Sequence, residues 1–227
     1  MDFAAITIFP EFFSGFFSCG MVRKAIEERL ISCRAVDIRD FAEGRHRVTD
    51  DRPFGGGSGM VMIPGPLTRA IDEVKKELPE APVVFLGPQG RVFDQKTALS
   101  LSRLPALILV CGRYEAMDER VLESRCDLEI SIGDFVLSGG EPAAMVVMDA
   151  IVRLLPGVLG NADSAVTESF MEGLLDYPHF TRPRDFEGEP VPDELLSGNH
   201  KEIEAWRRET ALLKTLVRRP DLFSGLD

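Results

Sequence analysis

The sequence predicts an α/β fold built on a parallel sheet, with a small all-helical carboxyl-terminal domain. Apolar runs and helical periods alternate from residue 3 to residue 155, and such alternation gives parallel sheets covered by helices on both faces. Several of the strand-like runs lead straight into glycine-containing turns. Beyond residue 184 only helical patterns recur. A chain of 227 residues, 44% hydrophobic and 28% charged, has the composition of an ordinary globular protein with room for one core domain and an appendage.

Residues 3–9 (FAAITIF) form a β-rich apolar run stopped by Pro10, the mark of a buried strand. MVRKAIEERL, from Met21, sets Val22, Ile26 and Leu30 on one helical face, and CRAVDI follows as a second strand. Residues 41–59 make a long charged, glycine-rich loop, a length uncommon in compact domains unless it serves function. A helix is expected over 67–78. APVVFLGPQG reads as a buried strand ending in a turn, with DQKTALSLSRL as its helix; PALILVCGRYE repeats that plan, with MDERVLES after it. DLEISIGDFVLSGGE gives another strand and turn, and EPAAMVVMDAIVRLL a helix with Pro142 in its first turn. From Pro156 the periodicity dissolves. A domain at 1–160, a linker at 161–184 and a helical domain at 185–227 follow, the last with helices near 193–196 and 200–217.

The formal net charge is 26 − 37 = −11, so no global field draws the chain to nucleic acid or anionic membrane. An RNA partner must meet a local basic patch; no DNA and no membrane partner is expected. Cys19, Cys33, Cys111 and Cys126 lack paired spacing and the three histidines are scattered, which argues against zinc and for a reducing, cytoplasmic setting. The amino terminus has no leading Lys or Arg and is broken by Pro10 and Glu11, unlike a signal peptide. No run approaches the roughly 20 apolar residues of a membrane span.

Three strand ends share a glycine turn: FLGPQGR (85–91), VCGRYE (110–115) and SIGDFVLSGGE (131–141). In open α/β sheets ligands bind beyond the carboxyl ends of the strands, where glycine lets the backbone approach them. Three such turns on one edge would make a pocket of main chain, suited to an adenine or a methionine moiety rather than a triphosphate. A simple strand-capping role competes for any single turn. RPFGGGSGM (52–60) lacks the lysine of a Walker A loop, and no G-x-G-x-x-G follows the first strand.

DDRPFGGGSGM, GPQGR, LILVCGRYEAMDERV, SIGDFVLSGGE, PGVLG, EGLLDYPHFTRP and LLSGNH, in this order, resemble the bacterial tRNA (guanine-N1)-methyltransferase family, TrmD. The likeness spans nearly the whole chain, although the end soon after Arg218-Arg219-Pro220 is short by the family's habit. It implies a SPOUT methyltransferase with a deep trefoil knot, an exception among folds that nothing in the periodicity suggests. It also implies S-adenosylmethionine as methyl donor, a homodimer with active sites shared between subunits, and tRNA as substrate, methylated at N1 of guanine 37 beside the anticodon. Another RNA base as target, or an RNA-binding module without turnover, are the competing readings.

By motif match, Gly112 and the run Ile132, Gly133, Asp134, Phe135, Val136 and Leu137 line the donor pocket, with Leu86, Pro88, Tyr114, Gly139 and Gly140 on the adjoining turns. Guanine N1 carries a proton at neutral pH, so a base is needed. The family places an aspartate before a Ser-Phe pair; this chain has Glu168 there, with a carboxylate that reaches about 1.5 Å further. Glu168 as general base stands against Glu168 as a solvated linker acid. Arg153 matches an arginine thought to polarise guanine O6, and a helix-dipole partner is the simpler role for it. Glu115 is a candidate for holding guanine or a Mg²⁺ ion, since the family reaction is taken as Mg²⁺-assisted; no metal-ligand set is named. Asp50, Arg52, Gly57 and Gly59 belong to RPFGGGSGM and its anchor, expected to be a mobile loop that orders the tRNA base. Asp176, His179 and Arg182 in the linker complete the expected RNA contacts together with Arg207 and Arg208, which stand beside Trp206. His46, His179 and His200 have no nucleophile or metal-ligand partner in the sequence pattern.

Overall fold

The structure is a computed structural model and describes residues 1–160 and 168–223. The chain divides into two compact units, Met1–Gly160 and Asn161–Asp227. The seven residues 161–167 that open the expected linker lie outside the described residues.

In the first unit the elements run β1 (Asp2–Thr7), α1 (Phe12–Phe17), α2 (Gly20–Glu27), β2 (Ser32–Asp37), β3 (Asp50–Asp51), β4 (Val61–Met62), α3 (Pro64–Glu77), β5 (Val83–Val92), α4 (Gln95–Leu101), β6 (Ala106–Cys111), β7 (Ala116–Met117), α5 (Glu119–Arg125), β8 (Leu128–Ser131) and α6 (Glu141–Val152). Five strands form one sheet in the order β2-β1-β6-β5-β8, and every pair in it is parallel. The continuous apolar runs are explained by burial on both faces. Phe3 and Ala5, with Leu107 and Leu109, face a core completed by Phe13, Val22, Ala98 and the α6 residues Ala144, Val147, Met148 and Ile151. Ala4 and Ile6, with Ile108 and Val110, face Leu67, Ala70, Ile71 and Val74 of α3 and Val121 of α5.

Several local expectations need correction. The run FFSGFF, to which the sequence pattern assigns no element, is α1, where Phe13 is fully buried and stacks on Phe17 at 5.5 Å. The helix from Met21 stops at Glu27, because Arg29 takes a positive φ of 59° and turns the chain. Helix α3 starts at Pro64 rather than Leu67, since proline at the first turn gives up only an amide with no helical partner. Strand β5 does not end at the GPQG turn: residues 87–90 swell out as an irregularity, after which Arg91 and Val92 rejoin β8. One short piece of the expected 41–59 loop (β3), the residues just beyond that loop (β4) and those after GRYE (β7) form a second sheet, β3-β4-β7.

The second unit contains a two-stranded hairpin, β9 (Asp185–Phe186) and β10 (Glu189–Pro190), ahead of α7 (Asp193–Leu196) and α8 (His200–Arg218). The tail is therefore helical with a minimal hairpin, not helical throughout. Thr215 of α8 is fully buried and its Oγ1 accepts the Leu175 amide at 2.9 Å, so residues ahead of the hairpin pack on this helix. Among the described residues no helix is long and apolar enough to cross a membrane.

Candidate functional site

Strands β6 and β8 end beside the excursion at 87–90 within β5, and that excursion and the segments leaving β6 and β8 enclose a cavity of about 190 Å³. Its floor is main chain. Gly140 donates its amide to the Gly112 carbonyl at 2.8 Å, which lays the start of α6 directly against the turn after β6. A β-carbon at Gly140 would stand 2.8 Å from the Cys111 Cα and 3.0 Å from the Gly112 nitrogen; only glycine permits this approach. At Gly112 the obstacle would be the movable Met117 side chain, 3.2 Å away. Ile132 and Leu137 add apolar surface, and Arg113, Glu115, Glu119 and Glu129 bring charge to the wall.

Burial shifts the titration of Glu129 and Tyr114 on the wall and of Cys111 beneath it. Burial, and then the charge of Glu119, raises the Glu129 carboxyl above its ordinary range. Burial first, then the Asp50 carboxylate, raises the Tyr114 phenol. Burial pushes the Cys111 thiol well above its usual value, so it serves as packing under the cavity floor.

The family model for tRNA (Guanine-1)-methyltransferase TrmD matches residues 1–225 of this chain. The chain belongs to the TrmD family. Curated relatives agree with the match. A tRNA (guanine-N(1)-)-methyltransferase of Desulfatibacillum aliphaticivorans is 56% identical over 225 residues, covering 99% of this chain and 86% of the relative. Enzymes of the same name from Ralstonia nicotianae and Dictyoglomus turgidum are 52% and 54% identical, covering 99% and 96% of this chain and 87% of each relative.

Of the residues matched to the TrmD donor pocket, Leu86, Pro88, Gly112, Tyr114, Ile132, Gly133, Phe135, Val136, Leu137, Gly139 and Gly140 all line the cavity. Asp134 does not, although its neighbours on both sides do. Glu115, matched to the substrate side, also lies on the wall. Its amide donates to the Met60 carbonyl at 3.0 Å, and Gly59 packs on its side chain so closely that a β-carbon there would overlap it. The RPFGGGSGM segment is thus clamped at its base, where Asp50 pairs with Met62 and Asp51 with Val61. Beyond that clamp Gly55, Gly56, Gly57 and Gly59 all take positive φ, and Phe54 is fully exposed. Arg52 is exposed, with its amide on the Asp51 carboxylate at 2.7 Å.

Arg153 caps α6 at its carboxyl end, off the cavity wall. Glu168 belongs to the second unit, where its carbonyl accepts the Met171 amide at 3.3 Å. That unit gathers three of the expected RNA contacts. Asp176 accepts from His179 Nε2 at 2.8 Å and takes Lys214 on its main-chain oxygen at 2.9 Å, while the Arg207 guanidinium lies 4.8 Å from the centre of the Tyr177 ring. Phe180 meets Trp206 edge-on, with ring centres 6.1 Å apart. Arg182 and Arg208 are exposed.

Sequence reasoning missed Gln89, Arg113, Glu119 and Glu129 on the cavity wall. Gln89, Arg113 and Glu119 all stand in the family blocks, and for Arg113 and Glu119 a charge beside an apolar strand was the available signal. Glu129 alternates with buried Ile130 on β8, which by strand period alone points it away from the core.

Proposed function

We propose that this cavity binds S-adenosylmethionine and that the protein methylates N1 of guanine at position 37 of tRNA. The observation that carries this reading is the meeting of three glycine-bearing segments, the excursion within β5 and the ends of β6 and β8, around one cavity in a chain that the TrmD family matches over residues 1–225. The residues present fit the cofactor. Main chain along residues 86–88, 112–115 and 132–137 suits the hydrogen-bonding rim of adenine, and Ile132 and Leu137 suit its faces. When bound, the cofactor supplies a methyl group activated on a sulfonium, so the chain's own work is positioning and proton removal.

Glu168 takes the proton from guanine N1, and Arg153 steadies the negative charge that the purine then carries toward O6. Asp50, Arg52, Gly57, Gly59 and Glu115 hold the target base, with RPFGGGSGM as a mobile loop over it. Asp176, His179, Arg182, Arg207 and Arg208 contact the RNA, and Tyr177 under Arg207 adds a stacking surface. Against a net charge of −11, this local basic and aromatic surface carries tRNA affinity. Membership of the TrmD family supports a trefoil knot in the carboxyl-side half of the first unit. The active form is a cytoplasmic homodimer in which the subunits share active sites. No Mg²⁺ site is assigned: among the described residues no group of three or more His, Cys, Asp or Glu side chains could hold a metal ion.

Labelled S-adenosylmethionine and undermodified bacterial tRNA test the proposal together. Transfer with a new reverse-transcription stop at position 37 is expected, because a methyl on N1 blocks base pairing; label elsewhere, or none, overturns the reading. In the same assay Glu168→Ala should lose at least about 100-fold in rate. Glu168→Asp, which withdraws the carboxylate by about 1.5 Å, should fall between the two.

A further inference from the structure

Arg113 sits at the crossing of the two turns that close the cavity. Its main chain bridges Gly139 in antiparallel fashion, and its side chain occupies the space that a β-carbon on Gly139 would fill. One guanidinium holds two different partners: Nε donates to Glu141 Oε2 at 2.9 Å, and Nη1 donates to the Ser138 carbonyl at 3.0 Å. Glu141, the first residue of α6, has no exposed side-chain surface, and its other oxygen accepts the Thr7 hydroxyl at 2.6 Å from the end of β1. The cation lies over Phe9 and Phe12, 4.7 Å and 5.1 Å from the ring centres. Nη2 is buried and has no hydrogen-bond partner among the described residues, so those π faces are its compensation.

An ion pair this deeply buried is weak support for stability, since uncharged replacements of similar size are often as stable. Its geometry, by contrast, is specific. A planar fork that spans Glu141 and Ser138 fixes the 138–141 segment against the 112–115 turn, and Gly139 and Gly140 of the first and all four residues of the second line the cavity. We infer that Arg113, seated on Glu141, is a positioning residue that sets the width of the cavity and thereby the affinity for S-adenosylmethionine. The ligand part of this inference rests on the function proposed above; the clamp itself does not.

Three variants of the full-length protein test it: Arg113→Lys, which keeps charge but cannot span both partners, the uncharged pair Arg113→Met with Glu141→Gln, and Gly139→Ala, which leaves Arg113 in place but takes its space. Amide exchange at positions 139 and 140 should quicken in all three, with or without cofactor. Calorimetry should show S-adenosylmethionine binding weakened about tenfold or more in the uncharged pair and less in Arg113→Lys. The melting temperature of the uncharged pair should move by less than about 4 °C. Unchanged exchange, or unchanged cofactor affinity in a folded variant, overturns the inference. Failure of the uncharged pair to fold overturns it too, by giving the pair a structural role. A wild-type protein that binds no S-adenosylmethionine sinks the proposed function instead, and the exchange measurement still decides the clamp.

Discussion

At Gly140 the nearest atoms to an added β-carbon are backbone, Cys111 Cα at 2.8 Å and Gly112 nitrogen at 3.0 Å, and neither can turn aside. Gly140→Ala must therefore push the start of α6 away from β6 and lengthen the hydrogen bond from its amide to the Gly112 carbonyl. Overpacking of this kind costs about 1–3 kcal/mol. The melting temperature should drop accordingly, and binding of S-adenosylmethionine should weaken. Gly112→Ala meets only the end of Met117 at 3.2 Å and should melt near the wild-type temperature. Equal melting of the two variants would count against a cavity floor made by backbone approach. The glycines were visible in the sequence because their residue type announces the conformational demand. Arg113 was not, because the reason for an arginine there is Glu141, 28 positions later. Asp134 stands in the same run, yet its neighbours and not Asp134 line the cavity, because membership of a motif does not say which of its residues face inward.

Among the elements, long strands and helices were legible because both faces of the sheet are buried and α3 carries an apolar stripe. Elements whose cause lies in a distant partner were not. Strand β7 is two residues long and exists because Val61 and Met62 pair with Ala116 and Met117; no local pattern marks it. The excursion at 87–90 read as a turn because Gly-Pro-Gln-Gly is turn chemistry, yet β8 recaptures the chain at Arg91 and Val92. Strand β8 also carries a pH signal. Glu129 is held above its ordinary pKa by burial and by Glu119. A carboxyl with a raised folded pKa binds its proton more tightly folded than unfolded. The folded state is thus favoured below the unfolded pKa of about 4.3 and loses that advantage as pH rises through the folded value. Glu129→Gln should therefore melt higher than wild type at pH 7, with the gap closing as the solution is acidified toward pH 4. A gap that stays constant across that range would show that Glu129 is not strained by its surroundings.

For the whole molecule, the cavity on one side and the proposed base and RNA surface on the other fall on separate stretches of chain. Both hydrophobic clusters that cover the sheet, and every residue lining the cavity, come from residues 1–160. Glu168, the aromatic pair Phe180 and Trp206, and the basic residues of α8 come from the second unit. A chain ending at Gly160 keeps its sheet, its two cores and the crossing of Arg113 with Gly139, so it should fold and bind S-adenosylmethionine with an affinity within a few fold of the full chain. It has neither the proposed base nor the proposed RNA surface, so methyl transfer to tRNA should disappear, and adding the missing segment as a separate polypeptide should not restore it at micromolar concentration. The same division governs salt. With −11 over the full chain, tRNA affinity should fall steeply as ionic strength rises, because phosphate contacts release counterions, whereas cofactor affinity should hardly change. Cofactor binding that vanishes with the second unit, or that tracks the salt dependence of tRNA, would mean that the cavity is completed by residues beyond Gly160 and that the two functions are not separable along the chain.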